Sequence, residues 1–203
     1  MLHLKYGDTL HLASDIEKTL KTDNPLRADA QRNRERILIA AEQVFVEKGA
    51  GASLDDVAKC AGVGIGTLYR RFPTREALLG AMYSERFVSM AKASLARDAK
   101  LDPAGSIQVY LEDLVMLTNL YRGLAASLGT VLQVGTPGCH ATSQEGMRLL
   151  HRAQESGALR QDVSFADLVC VATAISLSVE QEGSPKSRIT HLVGMFLNGI
   201  ATR

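Results

Sequence analysis

The side chains best suited to chemistry lie close together. Positions 63–78 read VGIGTLYRRFPTREAL and place Thr67, Tyr69, Arg70, Arg71, Thr74 and Arg75 within nine residues. Hydroxyls, a phenol and guanidinium groups are hydrogen-bond donors suited to phosphate oxygens and to base edges. The glycines in front raise a rival reading, a loop that cradles a nucleotide. GVGIG lacks the GK[ST] of a P-loop, and no strand precedes it as a dinucleotide site requires. The other rival is a solvated basic face, which charge alone does not separate from a nucleic-acid surface.

The elements that carry these residues separate the readings. Ile37, Ala41, Val44 and Phe45 form one apolar stripe on a helix that ends at Gly49. Ser53 caps a second helix through Ala61, in which Leu54, Val57, Ala58 and Ala61 repeat at helical spacing. Gly62-Val63-Gly64 reads as a turn, and Ile65 to Phe72 as a third, short helix with Leu68 and Phe72 pointing inward. Pro73 stops it and Thr74 caps the next. Three such helices make a helix-turn-helix, whose second helix offers its N-terminal residues to a major groove. Gly66 leaves room for a backbone to approach DNA. Because Leu68 and Phe72 define the buried side, Tyr69, Arg70 and Arg71 cannot all face the core. Arg75 and the amides behind Thr74 sit at a helix N-terminus, a natural phosphate site.

The remainder also reads as helix. Asp102-Pro103 heads one with Ile107, Tyr110, Leu111 and Leu114 on one side, and Gly123 to about Gln133 makes a short one. The sequence GTPG at 135–138 breaks the pattern, and Thr142-Ser143-Gln144-Glu145 reads as a capping box for a helix through Glu155. Ser164 caps another, and Ser184-Pro185 begins the last. The expected fold is all-α with about nine helices: an extension at 1–26, a helix-turn-helix unit at 27–73 and a longer helical unit at 74–203. In the extension, HLKYGDTLHL reads as a small hairpin around Gly7-Asp8, followed by a capping box at Ser14–Glu17. So short a piece is expected to be disordered or loosely docked.

Composition narrows the classes. No apolar run reaches 18 residues, so no membrane span is expected. Cys60, Cys139 and Cys170 form an odd, widely spaced set without a CxxC pair. That suits a reducing cytosol and gives neither a disulfide framework nor a zinc site. Residues 27–100 hold 13 Lys/Arg against 9 Asp/Glu, whereas residues 101–203 hold 7 against 9. A basic first half beside an acidic second half hints at two tasks. His140 and His151 are not at metal spacing, and Cys139-His140 has no acid to orient it as a nucleophile. No catalysis, metal or cofactor is expected.

The runs RERILIAAEQVFVEKG and SLDDVAKCAGVGIGTLYRRFPTREAL, from Arg34 to Leu78, closely resemble the TetR/AcrR family of bacterial transcriptional regulators. The resemblance spans about 45 residues and is specific in AGV, in GTLYRRF and in the basic residue three after Phe72. It implies a homodimeric, all-helical, cytoplasmic regulator bound to a double-stranded operator, with helices one to three on DNA and the rest holding ligand and dimer surfaces. Thr67, Tyr69 and Arg70 are implied to touch phosphates or bases, with Arg75 on phosphate. Arg34, Ile65, Gly66, Arg71 and Thr74 complete the expected DNA-contacting set. Gly64 departs from the family, in which many members carry a capping Ser there. Glycine forfeits a possible phosphate contact.

Beyond Leu78 the resemblance is one of layout. A small-molecule effector of unknown identity is expected between helices, with Leu114, Leu117, Leu120, Tyr121 and Met147 among its lining. Leu150, His151, Leu168 and Thr173 join them, and plain core is the alternative for each. The last two helices are apolar enough to form one monomer's core or to pair with their twins; the resemblance implies pairing. Ile175, Val179, Ile189, Val193, Phe196 and Leu197 are the expected interface. The leading function is a repressor released by its ligand. The alternatives are an activator or global regulator of the same fold, or a ligand-binding protein without DNA binding.

Overall fold

Short polar side chains start most of the helices by accepting the amides that the first turn leaves unpaired. The structure, a computed structural model, describes residues 8–121, 125–180, 183 and 185–202, without the side chains of residues 8–26 and of Ala50. Nine α-helices lie among the described residues: α1 (Asp8–Lys48), α2 (Leu54–Ala61), α3 (Ile65–Arg71), α4 (Arg75–Asp98), α5 (Pro103–Thr118), α6 (Leu128–Leu132), α7 (Pro137–Glu155), α8 (Phe165–Glu180) and α9 (Lys186–Ile200). The expected all-α architecture is observed; an isolated antiparallel bridge joins Leu159 to Ala201.

The caps fall where side-chain chemistry puts them at five helices. Ser53 and Asp56 form a reciprocal capping box at α2. Thr74 accepts from Ala77 N at 3.1 Å and starts α4. Asp102 accepts from Gly105 N at 2.6 Å ahead of Pro103. Ser164 and Asp167 bond reciprocally at α8. The fifth differs from expectation: α7 begins at Pro137 with Thr136 as its cap, six residues before the expected cap at Thr142. Thr136-Pro137 carries the same cap-then-proline signature as Asp102-Pro103. Thr142 and Glu145 are buried inside α7, where Thr142 Oγ1 donates to Phe87 O (3.2 Å) and Glu145 accepts from Ser94 (2.6 Å).

The N-terminal expectation also changes. Asp8 to Leu12 are helical rather than half of a hairpin, and Ser14 lies inside α1 rather than at a helix start. Leu10, Ala13, Ile16 and Leu20 recur at near-helical spacing, which outweighs the local capping pattern. The hairpin's first half, at 1–7, lies outside the described residues, as do residues 122–124 ahead of α6 and Ser184 ahead of α9.

One hydrophobic core runs from Ile37 to Leu197 through both halves of the chain. Within it α4 packs along α7, and α5 packs against α7, α8 and α9. The α4–α7 approach is close because Gly138 lacks a side chain. A Cβ there would lie 2.2 Å from Ser84 O. At the far end of α4, Asp98 accepts from Arg148 (2.9 Å) and pairs with Arg152, both on α7. Burial raises the Asp98 pKa, but the bonds from Arg148 and Ser106 outweigh it and hold the carboxyl below its ordinary value.

Candidate nucleic-acid interface

The helix-turn-helix is built from α1, α2 and α3. Gly62 ends α2 in the left-handed region at φ 62°, where a side chain would be strained. Arg36 of α1 donates to Ala61 O at 2.7 Å, pinning the turn to the first helix. A Cβ at Gly62 would meet Arg36 Nη2 at 3.0 Å, so the glycine also admits this clamp. No local sequence pattern marks Arg36, because its partner lies 25 residues away.

On α3 the buried side chain is Leu68, with Phe72 buried at its end. Ile65 (39% exposed), Tyr69 (48%) and Arg70 are exposed along α3, with Gly66 open to solvent. Thr67 is half-buried and faces a groove of about 360 Å³ between α1 and α3. Arg34, Arg70 and Arg71 border the same groove, and Arg71 donates to Ala30 O (2.9 Å). The geometry therefore gathers Arg34, Thr67, Arg70 and Arg71 around one depression, with Ile65, Gly66 and Tyr69 on the outer face of α3.

Two of the expected contacts have structural duties. Thr74 is exposed but caps α4. Arg75 is half-buried: it donates to Ala52 O, and its guanidinium carbon lies 4.7 Å from the centre of the Phe45 ring. Burial pulls its pKa below the ordinary arginine value. The side chain thus ties α4 to the segment before α2, instead of extending outward from the helix N-terminus as expected.

A second cluster links this unit to the rest. Glu42 of α1 accepts from Arg86 of α4 (2.6 Å) and from Tyr121 OH (3.0 Å), and Arg86 also donates to Tyr121. The bonds from Arg86 and Tyr121 hold the Glu42 carboxyl below its ordinary value. Tyr121 packs edge-on to Tyr83, whose ring stacks on Phe87. Tyr121 is therefore a strut between helices.

The other expected lining residues are dispersed. Leu114, Leu150 and Leu168 are buried core and Leu117 is half-buried, while Leu120, Met147 and His151 are exposed. His151 pairs with Glu155 on the surface at 3.1 Å. Thr173 does line a cavity, of about 600 Å³, between α6, α7 and α8. Ile175, Val179, Ile189, Val193 and Leu197 are likewise buried in their own chain's core; Phe196 is half-exposed. The exposed apolar stripe of α8 is Cys170, Ala174 and Leu177, and that of α9 is Met195 and Gly199, flanked by Leu192 and Phe196, which are half-buried against the core.

The three-helix unit is a helix-turn-helix joined to a larger helical body, and the family matches make its class a transcriptional regulator. The family description "bacterial regulatory proteins, tetR family" matches residues 37–82, and the C-terminal domain of SbtR-like transcriptional regulators matches residues 102–202. The chain belongs to the TetR family. It is 35% identical over 89 residues to "Probable HTH-type transcriptional regulator ArpR" of Pseudomonas putida, across 42% of each chain. The chain thus spans about two fifths of the length of the curated relatives it matches. The solved structure of RolR with resorcinol superposes with a TM-score of 0.64 at 21% identity, covering 87% of this chain and 91% of that one. Bacillus subtilis FadR with stearoyl-CoA gives 0.56 at 17% identity, covering 82% and 98%. At these identities the two structures support the fold. Among the described residues no helix is long and apolar enough to cross a membrane.

Proposed function

We propose that this regulator is a repressor: a homodimer sits on a near-palindromic operator and leaves it when a small molecule binds the second half of each chain. The observation that carries the DNA side is α3 itself, with Leu68 and Phe72 turned in and Ile65, Tyr69 and Arg70 turned out beside Arg34 and Thr67. Tyr69 and Arg70 supply donors for phosphates and base edges, and Ile65 offers apolar contact to a thymine methyl. Two copies paired through the exposed stripes of α8 and α9 would set their recognition helices about 34–36 Å apart, one turn of DNA. The ligand side draws support from RolR and FadR, whose structures hold resorcinol and stearoyl-CoA. A ligand shifts the balance only by binding the released state more tightly than the bound one. The test is a mobility shift with the DNA upstream of the protein's own gene. Sequence-specific retardation that weakens steeply with salt is expected; retardation no stronger than for unrelated DNA would overturn the proposal.

A further inference from the structure

We propose that Arg36 is a positioning residue for DNA recognition: its guanidinium holds the entry of α3 at a fixed angle to α1, and so sets sequence discrimination without touching DNA. This rests on reading α3 as the recognition helix. Seven residues are too few for a helix to hold itself together, and Gly64 at its start makes no side-chain cap bond. Neighbouring elements must therefore set its direction. Leu68 and Phe72, at i and i+4 on one side, anchor α3 in depth but leave its roll about that line open.

Both ends of α3 are tied to α1 by guanidinium-to-carbonyl bonds that run in opposite directions. At the entry, the amides of the turn go to earlier carbonyls, Gly62 N to Lys59 O (3.1 Å) and Val63 N to Ala58 O (3.0 Å). Ala61 O instead accepts from Arg36 Nη2 at 2.7 Å. A cation suits that position, because the carbonyls at a helix C-terminus carry partial negative charge. At the exit, Arg71 donates to Ala30 O (2.9 Å), earlier on α1 than Arg36. The first helix thus splints the recognition helix from two points. Ala30, Asn33, Arg34 and Ile37 recur at helical spacing along the groove that Thr67 and Arg70 share. Arg36 is off that stripe, so its guanidinium is committed to the turn and not to the groove.

Arg36→Met keeps an unbranched stem and removes the donor. In the free protein, hydrogen exchange should quicken at the α3 amides and stay unchanged in α7. In mobility shifts, affinity for the DNA upstream of the protein's own gene should fall by about tenfold or more. Affinity for unrelated DNA and its salt slope should stay the same, since phosphate contacts supply non-specific binding. Unchanged exchange in α3 would overturn the proposal. So would an equal loss on both DNAs with a salt slope shallower by about 0.9 per contact, the mark of a residue bound to phosphate. A lower melting temperature with unchanged discrimination would overturn it too, leaving the Arg36 bond a matter of stability alone. Should Arg36→Met misfold, Arg36→Gln is read in the same two ways, being polar enough for an exposed position and too short to reach Ala61 O. If the natural protein does not prefer its upstream DNA, the operator reading falls by itself, and the exchange measurement, made without DNA, still decides whether Arg36 holds α3.

Discussion

Arg70 and Arg75 stand on either side of Pro73 in opposite environments. Arg70 is exposed on the outer part of α3, whereas Arg75 is bonded to Ala52 O and stacked on Phe45. Arg70→Ala should weaken operator binding by about 1–3 kcal/mol and leave the melting temperature unchanged. Arg75→Ala should lower the melting temperature, since the Ala52 carbonyl loses a donor worth about 1–3 kcal/mol and the ring loses its cation. Mobility shifts and thermal melts on the two variants separate these outcomes. Glu42 makes a pH-dependent contribution. Its bonds from Arg86 and Tyr121 lower its pKa from an ordinary value of 4.5. The stability it adds is present above that value and lost as pH falls through the lower, folded value. The melting-temperature gap between the natural protein and Glu42→Gln should therefore be widest near neutrality and narrow progressively as the pH falls below 4.5. The outward position of Tyr69 and Arg70 was legible in sequence, because Leu68 and Phe72 at i and i+4 fix the inner face of a helix. The inward turn of Arg75 was not, because its acceptor is 23 residues away.

At the scale of elements, the α4–α7 seam depends on the bare backbone of Gly138 against Ser84. Gly138→Ala should force the helices apart and destabilise by about 1–3 kcal/mol in chemical denaturation. Gly129→Ala is the control: nothing lies within 4 Å of its missing Cβ, so the higher helix propensity of alanine should leave stability equal or up to about 1 kcal/mol higher. Helix starts were largely readable where a cap and its partner are three residues apart, as at Ser53, Thr74, Asp102 and Ser164. Thr142 misled because Thr-Ser-Gln-Glu satisfies the same local rule, while its hydroxyl and the Glu145 carboxylate are committed to Phe87 O and Ser94 on a different helix. The cavity was harder still. Buried leucines of α5 and exposed residues of α7 share one periodicity, and only packing tells which face meets a void.

At the scale of the molecule, α8 and α9 each carry two apolar stripes. Ile175 and Val193 face the core, while Leu177 (42% exposed) and Met195 (60%) do not. Sequence reveals both stripes but not which of them is covered from within the chain. Leu177→Glu combined with Met195→Glu should yield a helical monomer by size-exclusion chromatography with matched circular dichroism. Operator affinity should fall by about tenfold or more, since each half-site must then be held alone. The span of α4 would have a mechanical consequence in the proposed dimer. Its 24 residues make a rod of about 36 Å, with the recognition helix just before one end and Asp98 gripped by Arg148 and Arg152 at the other. With Asp98 as the pivot, a swing of about 5° carries the Thr74 end through about 3 Å, nearly the 3.4 Å step of one nucleotide along a strand. Displaced by that length in opposite senses, the two recognition helices of the proposed dimer would fall out of phase with their half-sites, though neither would have changed shape.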